Sequence, residues 1–165
     1  MSPRTAPSLD DWRRALTRFV KVLPHCRELG LEVHDVTAQS ICLRQPWHDD
    51  LLGDRMRGLV HGGVLTMLLD TACGSAVLRG LPAPEVCPTL DLRVDHYRPA
   101  VVGRDIFIEA RVVRVTESVV FTEGSLWQVP EKPVARGIGN FARLGDRNTP
   151  HGLVEALFAD EVLDA

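Results

Sequence analysis

The sequence predicts an α+β fold in which an antiparallel sheet of about six strands surrounds one long apolar helix. Residues 61–78 are almost all apolar or small, with Asp70 as the one charge, and the run is too long for a strand. Apolar side chains cover more than one face of it, so we expect a helix buried nearly all round. Runs with an alternating apolar and polar pattern flank it, with short connections between the later ones, which favours antiparallel pairing.

A loose tail over residues 1–7 should precede an N-terminal helix over residues 8–24. Ser8 and Asp11 have the spacing of a capping box, with Asp in place of Glu. Five apolar residues fall on one face of this helix: Trp12, Leu16, Phe19, Val20 and Leu23. Pro24 should end the helix, because proline cannot continue it without losing a hydrogen bond.

Two strands are expected before the central helix, over residues 31–38 and 40–45, because both runs alternate or carry β-branched residues. Residues 46–58 then form a polar loop rich in charge and glycine, a place where functional groups can lie. After the helix, residues 80–84 contain glycine and proline and should break the chain's regular structure.

Four long strands should follow, over residues 89–97, 105–115, 119–129 and 133–144. The first of them alternates Leu90, Leu92 and Val94 with charged residues, which predicts a strand with one face in solvent. An amphipathic helix over residues 150–163 should end the chain, capped by Thr149.

Composition excludes several classes of protein. A length of 165 residues predicts a single domain over residues 1–165. A net charge of −3, with no basic run longer than Arg13-Arg14, argues against nucleic-acid binding. No secretory signal precedes the first helix, so we expect a cytoplasmic protein. A membrane span is disfavoured, because Asp70 would lie within a run shorter than the roughly 20 apolar residues a span requires.

The four cysteines are Cys26, Cys42, Cys73 and Cys87. They follow no CxxC or Cys/His ligand spacing, so the sequence indicates neither a zinc site nor a disulfide framework. We expect reduced, mostly buried thiols.

Asp70 is the first candidate for a catalytic residue, because burying an unpaired carboxylate costs on the order of several kcal/mol. A cleft containing water would remove that cost, and the carboxylate could then act as a general base or as a nucleophile. In the structural alternative, Asp70 caps a loop or pairs with an arginine such as Arg55 or Arg57. The residues alone leave these readings open.

The stretch HGGVLTMLLD, with Asp70 nine positions after His61, resembles the HGG-x6-D signature of the hotdog-fold acyl-CoA thioesterases of the phenylacetic-acid-pathway type. Gly58 and the segment TLDLRVDHYRPA resemble the same family, so the similarity spans residues 31–144. The resemblance implies a hotdog fold and hydrolysis of a medium-chain or aromatic acyl-CoA without metal or organic cofactor. It also implies a homodimer or a dimer of dimers.

The resemblance also implies roles for residues around the helix start. It gives the backbone N–H of Gly62 the part of oxyanion donor, and a helix start with its dipole suits that part. His61 would hold the turn, with His61 and Gly63 on the substrate-binding side. Thr89 matches a position where the family often has Ser or Thr to orient water. The alternatives are a tight turn for the glycines and a structural role for Thr89.

One position departs from the family pattern. Relatives often place Asn or Gln six residues before the HGG histidine, where this chain has Arg55. An arginine there could donate to a carbonyl or bind a coenzyme phosphate, or it could simply be an exposed loop residue. Four other arginines are candidates for the coenzyme without any motif: Arg93, Arg98, Arg136 and Arg143.

Two further functions stay open: a non-catalytic hotdog module that senses acyl-CoA or binds a partner, and a hotdog hydratase or dehydratase, which pairs an Asp with a His in a different sequence setting. For the hydrolase, a shared site is expected. Gly62 and Asp70 are separated by about 12 Å along one helix, yet each must lie about 3 Å from one carbon. Two antiparallel helices related by a two-fold axis would satisfy both distances.

Overall fold

The computed structural model describes residues 6–145 and 149–159. Its helices are α1 (Leu9–Val22), α2 (Pro24–Glu28), α3 (Gly62–Gly80) and α4 (Leu153–Leu157). Its strands are β1 (Glu32–Val36), β2 (Ile41–Gln45), β3 (Leu52–Asp54), β4 (Leu59–Val60), β5 (Thr89–His96), β6 (Ile106–Val115), β7 (Val119–Val129) and β8 (Lys132–Ala142). The predicted α+β class is confirmed.

Six strands form one antiparallel sheet in the order β1-β2-β6-β7-β8-β5, and α3 packs against β2, β5, β6, β7 and β8. Leu65, Leu68 and Leu69 of α3 are buried against this sheet. Ile106 and Ile108 of β6 are fully buried in the same core, as their alternation predicted. A sheet around one long apolar helix is the hotdog arrangement, so that expectation is confirmed.

The prediction that α3 is buried nearly all round is wrong. The sheet covers one side of the helix only in part, and we call this side the open stripe: Gly63, Thr66, Met67, Asp70 and Gly74. These residues are three or four positions apart and therefore share a face. The apolar run could not reveal this side, because the sheet covers the opposite side more completely.

The N-terminal helix begins as predicted. Ser8 Oγ accepts from the Asp11 N–H at 3.2 Å, and Asp11 Oδ2 accepts from the Ser8 N–H at 2.8 Å, which completes the capping box. The Ser8 hydroxyl, which donates to Asp11 Oδ2 at 2.6 Å, and the Ser8 N–H hold the pKa of Asp11 below its ordinary value. The range 8–24 was too long, however, because α1 ends at Val22 and Pro24 starts α2. The fixed φ of proline suits a first helical position.

The segment predicted as a loop, residues 46–58, contains a short 3-10 turn and β3, which pairs with β4 in a small hairpin. Asp54 Oδ1 accepts from the N–H groups of Met56 and Arg57 at 2.9 and 3.0 Å, and Gly58 has a φ of 63°. A side chain that bonds to the backbone two and three residues on stabilises a tight turn. That local bonding explains why the polar segment is ordered.

The strand β5 differs from its predicted pattern at Leu90, which is 58% exposed although it was expected to share a face with Leu92 and Val94. The pairing with β8 shifts register between Thr89 and Asp91, so a bulge displaces Leu90. The other predicted strands agree with β1, β2, β6, β7 and β8 except at their ends.

The C-terminal helix also differs from the prediction. Within the described residues it spans Leu153–Leu157, its N-cap is Gly152, and no side chain caps it. Thr149 instead accepts a hydrogen bond from the Val86 N–H, far away in the chain. Residues 160–163 of the predicted helix and residues 1–5 of the predicted tail lie outside the described residues. No helix in the described part is long and apolar enough to cross a membrane.

Candidate active site

Asp70 and Thr89, both predicted as catalytic, lie together. Asp70 is on the open stripe, half-buried, and Thr89 is exposed at the start of β5. Thr89 Oγ1 donates a hydrogen bond to Asp70 Oδ1 at 2.9 Å. Within residues 6–145 and 149–159, no group donates a hydrogen bond to the other carboxylate oxygen, Oδ2. One carboxylate oxygen is therefore held in place and the other is open to a ligand.

The β5–β8 pairing brings Thr89 to the helix. Thr89 lies opposite Phe141 of β8, and the Ala142 N–H donates to Pro88 O at 2.9 Å. The Phe141 side chain is buried, and a Cβ at Gly74 would lie 3.7 Å from its ring. Phe141 thus fits against the helix one turn after Asp70, which places the start of β5 beside the carboxylate.

The structural alternative for Asp70, an ion pair with Arg55 or Arg57, is not observed. Arg57 Nε lies 3.7 Å from Asp54 Oδ2, within the β3–β4 hairpin. Arg55 is exposed at the same turn. A role for Arg55 towards the coenzyme stays a prediction.

The start of α3 has one backbone donor in use and one free. The N–H of Gly63 donates to His61 Nδ1 at 3.0 Å, so the imidazole caps the helix. The N–H of Gly62 has no hydrogen-bond partner among the described residues. A Cβ built at Gly62 would meet no heavy atom within 4 Å. The free donor therefore belongs to a residue with room around its Cα, at the positive end of the helix dipole.

Gly53, a residue that the sequence analysis missed, holds His61 in this position. The His61 N–H donates to Leu51 O at 2.9 Å, at the edge of the small hairpin. A Cβ at Gly53 would lie 2.6 Å from His61 Cα, and a Cβ at Gly63 would lie 2.9 Å from His61 Nδ1. Position 53 therefore requires glycine, because the obstacle is the His61 backbone, whereas a side chain at position 63 would displace the His61 ring from its cap. The sequence offered one indication of this role: Gly53 lies in the loop that precedes the HGG motif.

His61 and Gly63 were also predicted to bind substrate. Both are exposed at the helix start, beside the free N–H of Gly62. The His61 ring is used in the cap, which agrees with the turn-holding role implied by the resemblance. Contact of either residue with substrate stays a prediction.

Cys73 lies close to Asp70 on α3 but offers no nucleophile. It is fully buried, and burial raises the pKa of its thiol to about 11, with the charge of Asp70 acting in the same direction. A thiol with that pKa stays protonated near neutral pH, and the thiolate is the reactive form. All four cysteines are free. In the described part of the chain, no three His, Cys, Asp or Glu residues are grouped so that they could hold a metal ion.

The sequence of this chain is similar to those of known proteins. The model of the thioesterase superfamily matches residues 57–135. A protein of Halobacterium salinarum, provisionally named an esterase, is 37% identical over 122 residues, which cover 68% of this chain and 80% of that protein.

Solved structures agree with the sequence matches. A crystal structure of a Pseudomonas aeruginosa protein has 40% identity and a TM-score of 0.73, covering 81% of this chain and 99% of that one. A provisionally named thioesterase from Ralstonia eutropha, described as related to phenylacetic acid degradation, has 27% identity and a TM-score of 0.67. That match covers 78% of this chain and 99% of the other.

Proposed function

Because the chain belongs to the thioesterase superfamily and is a thioester hydrolase, we propose that it converts a medium-chain or aromatic acyl-CoA to the free acid and coenzyme A. The hydrogen bond from Thr89 to Asp70 is the observation that carries the proposal. It leaves Oδ2 of Asp70 open on the partly covered side of α3, where a substrate can approach.

Asp70 supplies the attacking group in one of two ways. As a general base, Oδ2 takes a proton from water while the water oxygen bonds to the thioester carbon. As a nucleophile, the carboxylate bonds to that carbon and forms an anhydride, which water then hydrolyses. In both routes the carbon–sulfur bond breaks and the sulfur leaves as a thiolate. In the general-base route the thiolate takes the proton that Asp70 removed from water, and in the nucleophilic route it takes a proton released by the water that hydrolyses the anhydride. Thr89 donates its own proton to Asp70, so its oxygen remains able to accept a hydrogen bond from the water.

The Gly62 N–H stabilises the negative oxygen that forms during the attack. A donor that is already oriented loses little energy to reorganisation, and removal of one such donor typically costs about 2.7 to 4 kcal/mol. The unpartnered N–H at the start of α3 meets this requirement, whereas the Gly63 N–H is already bonded to His61. Gly62 is therefore the donor and Gly63 supports the cap.

Each active site contains groups from two chains. Gly62 and Asp70 lie on the same unbroken helix, eight residues and about 12 Å apart, so one carbon cannot contact both within a single chain. A second copy with an antiparallel α3 would bring its Gly62 beside this Asp70. The open stripe, which the chain's own sheet covers only in part, provides the surface for that copy.

The edge of the sheet supports such a homodimer. β5 is the last strand of the six and, among the described residues, pairs only with β8, so its outer edge has unpaired backbone groups. Exposed edges of this kind are suited to pairing with another strand. β5 begins at Thr89, so a partner bound at this edge would lie beside the site.

The proposed substrate class is inferred from the proteins related to this chain, and an activity assay can test it directly. A panel of acyl-CoAs of increasing chain length, together with aromatic acyl-CoAs such as phenylacetyl-CoA, is assayed through release of the free coenzyme thiol. We expect turnover of at least one medium-chain or aromatic member and its loss in the Asp70→Asn variant. Absence of turnover across the panel would favour a module that only binds acyl-CoA. We also propose that the reaction takes place in the cytoplasm.

A further inference from the structure

The loop between α3 and β5 connects the two residues of the carboxylate site. It covers residues 81–88 and lies between the helix of Asp70 and the strand that begins at Thr89. Three of its residues are prolines, Pro82, Pro84 and Pro88. Proline has no backbone N–H, so this loop has fewer donors with which to fix itself than an ordinary loop.

A half-buried ion pair adds to two hydrogen bonds that hold the loop, from the Val86 N–H to Thr149 Oγ1 and from the Ala142 N–H to Pro88 O. Arg143 Nη2 donates to Glu85 Oε1 at 2.5 Å, and their side chains are 25% and 15% exposed. No other ion pair between described residues has both partners so little exposed. The bond to Glu85 holds the pKa of Arg143 above its ordinary value.

Arg143 is itself attached to the sheet. It follows directly after β8, and its N–H donates to Ser118 O at 2.8 Å. Its Nη1 donates to Thr116 O at 3.1 Å, in the turn between β6 and β7. The guanidinium therefore fixes Glu85 relative to the strands rather than to another mobile side chain.

Such an ion pair is better explained by positioning than by stability. Removal of two charges from water offsets most of their attraction, so a buried ion pair usually adds little net stability. We propose that the Glu85–Arg143 ion pair is a positioning device that holds the 81–88 loop so that the Thr89 hydroxyl reaches Asp70. Glu85 and Arg143 are positioning residues, and the inference rests on the role of Thr89 proposed above.

The same contact separates this proposal from a direct role in coenzyme binding. Arg143 was one of the arginines available for a coenzyme phosphate, but its side chain is occupied by Glu85 and Thr116 O. Loss of a phosphate contact would raise KM. Loss of a positioning contact should instead lower kcat and leave KM for acyl-CoA unchanged.

The first test is the Arg143→Met variant, which keeps an unbranched side chain in place of the aliphatic stem and removes the guanidinium and its charge. We expect kcat to fall about tenfold at constant KM, since small displacements of catalytic groups are costly. Arg143→Lys should restore part of the lost turnover. Arg13→Met is the matched control, because it breaks an exposed ion pair with Asp35 and should not change the kinetics. A raised KM at normal kcat, or unchanged kinetics, would overturn the proposal.

The second test is a double-mutant cycle with Thr89→Val. If the ion pair acts through Thr89, Arg143→Met should cause no further loss of kcat in the Thr89→Val background. Additive losses would overturn the inference and leave the proposed function intact. Full turnover by Thr89→Val alone would overturn the role of Thr89 and the inference with it. Glu85→Gln, which keeps the volume and an acceptor oxygen, replaces Arg143→Met in the cycle if that variant does not fold.

Discussion

Thr89 Oγ1 lies 2.9 Å from Asp70 Oδ1, although the two residues belong to different elements and are 19 positions apart. The hydroxyl fixes one carboxylate oxygen and leaves the other free. A substitution that removes the charge of Asp70 but preserves this hydrogen bond therefore isolates its chemical role.

Asp70→Asn is that substitution, because the amide oxygen can still accept from Thr89 and the volume is nearly unchanged. We expect kcat to fall at least about 100-fold, the lower end of what general acid–base catalysis contributes. Steady-state kinetics with the best acyl-CoA of the panel measure the loss. Asp35→Asn, on the exposed strand β1, is the control and should retain wild-type turnover. An Asp70→Asn enzyme with most of its activity would exclude both roles proposed for the carboxylate.

Gly62→Pro tests the oxyanion donor, because proline removes the N–H. His61 has φ −65° and ψ 130°, a conformation that a residue before proline readily adopts, and proline is favoured at the first helical position. We expect kcat to fall by roughly 100-fold to 1,000-fold with the circular dichroism spectrum unchanged.

Gly62→Ala is the matched control for this experiment. It keeps the N–H, and its Cβ has no heavy atom of its own chain within 4 Å. It should therefore retain much more activity than Gly62→Pro. Equal activity of a folded proline variant and the wild type would disprove the donor assignment.

The fold and the carboxylate site could be predicted because their signals are local. Alternation identified the long strands, and the apolar run around Asp70 identified α3. Thr89 was predicted separately, from its match to a family position that often has Ser or Thr. Each of these patterns is set by neighbours along the chain.

The features that were missed depend on contacts between distant elements. Gly53 is needed because the β3–β4 hairpin brings it against His61, and a loop reading of residues 46–58 contains no such contact. Thr149 has the right type for a helix cap, but its oxygen accepts from the Val86 N–H instead. The open stripe of α3 was hidden for the same reason, since only tertiary packing decides which side of an apolar helix the sheet covers.

The buried thiol of Cys73 predicts loss of stability at alkaline pH. Its pKa is about 11 in the folded chain, against an ordinary value of 9.0. Below the lower value both states are protonated and stability is unaffected. Between the two values the unfolded state ionises first, so the free energy of unfolding falls as pH rises, by up to about 2 kcal/mol.

Chemical denaturation between pH 8 and about pH 11 measures this slope. Cys73→Ala should show a weaker decline than the wild type, even if its stability at pH 8 is lower because of the smaller side chain. Cys42 and Cys87, whose burial also raises their pKa values to about 11, remain in both proteins. An identical decline in both proteins would contradict the assignment to Cys73.

A shared active site predicts that two inactive variants restore each other. In a mixture of Gly62→Pro and Asp70→Asn protomers, a heterodimer contains one site with both substitutions and one site with neither. After complete exchange at equal amounts, about half of the dimers should be heterodimers, each with one intact site, so about a quarter of wild-type turnover should return. Differently tagged chains, exchanged in mild denaturant and purified through both tags, confirm that heterodimers are present. Heterodimers without regained activity, or a fully active monomer in sedimentation at the assay concentration, would rule out a site built from two chains.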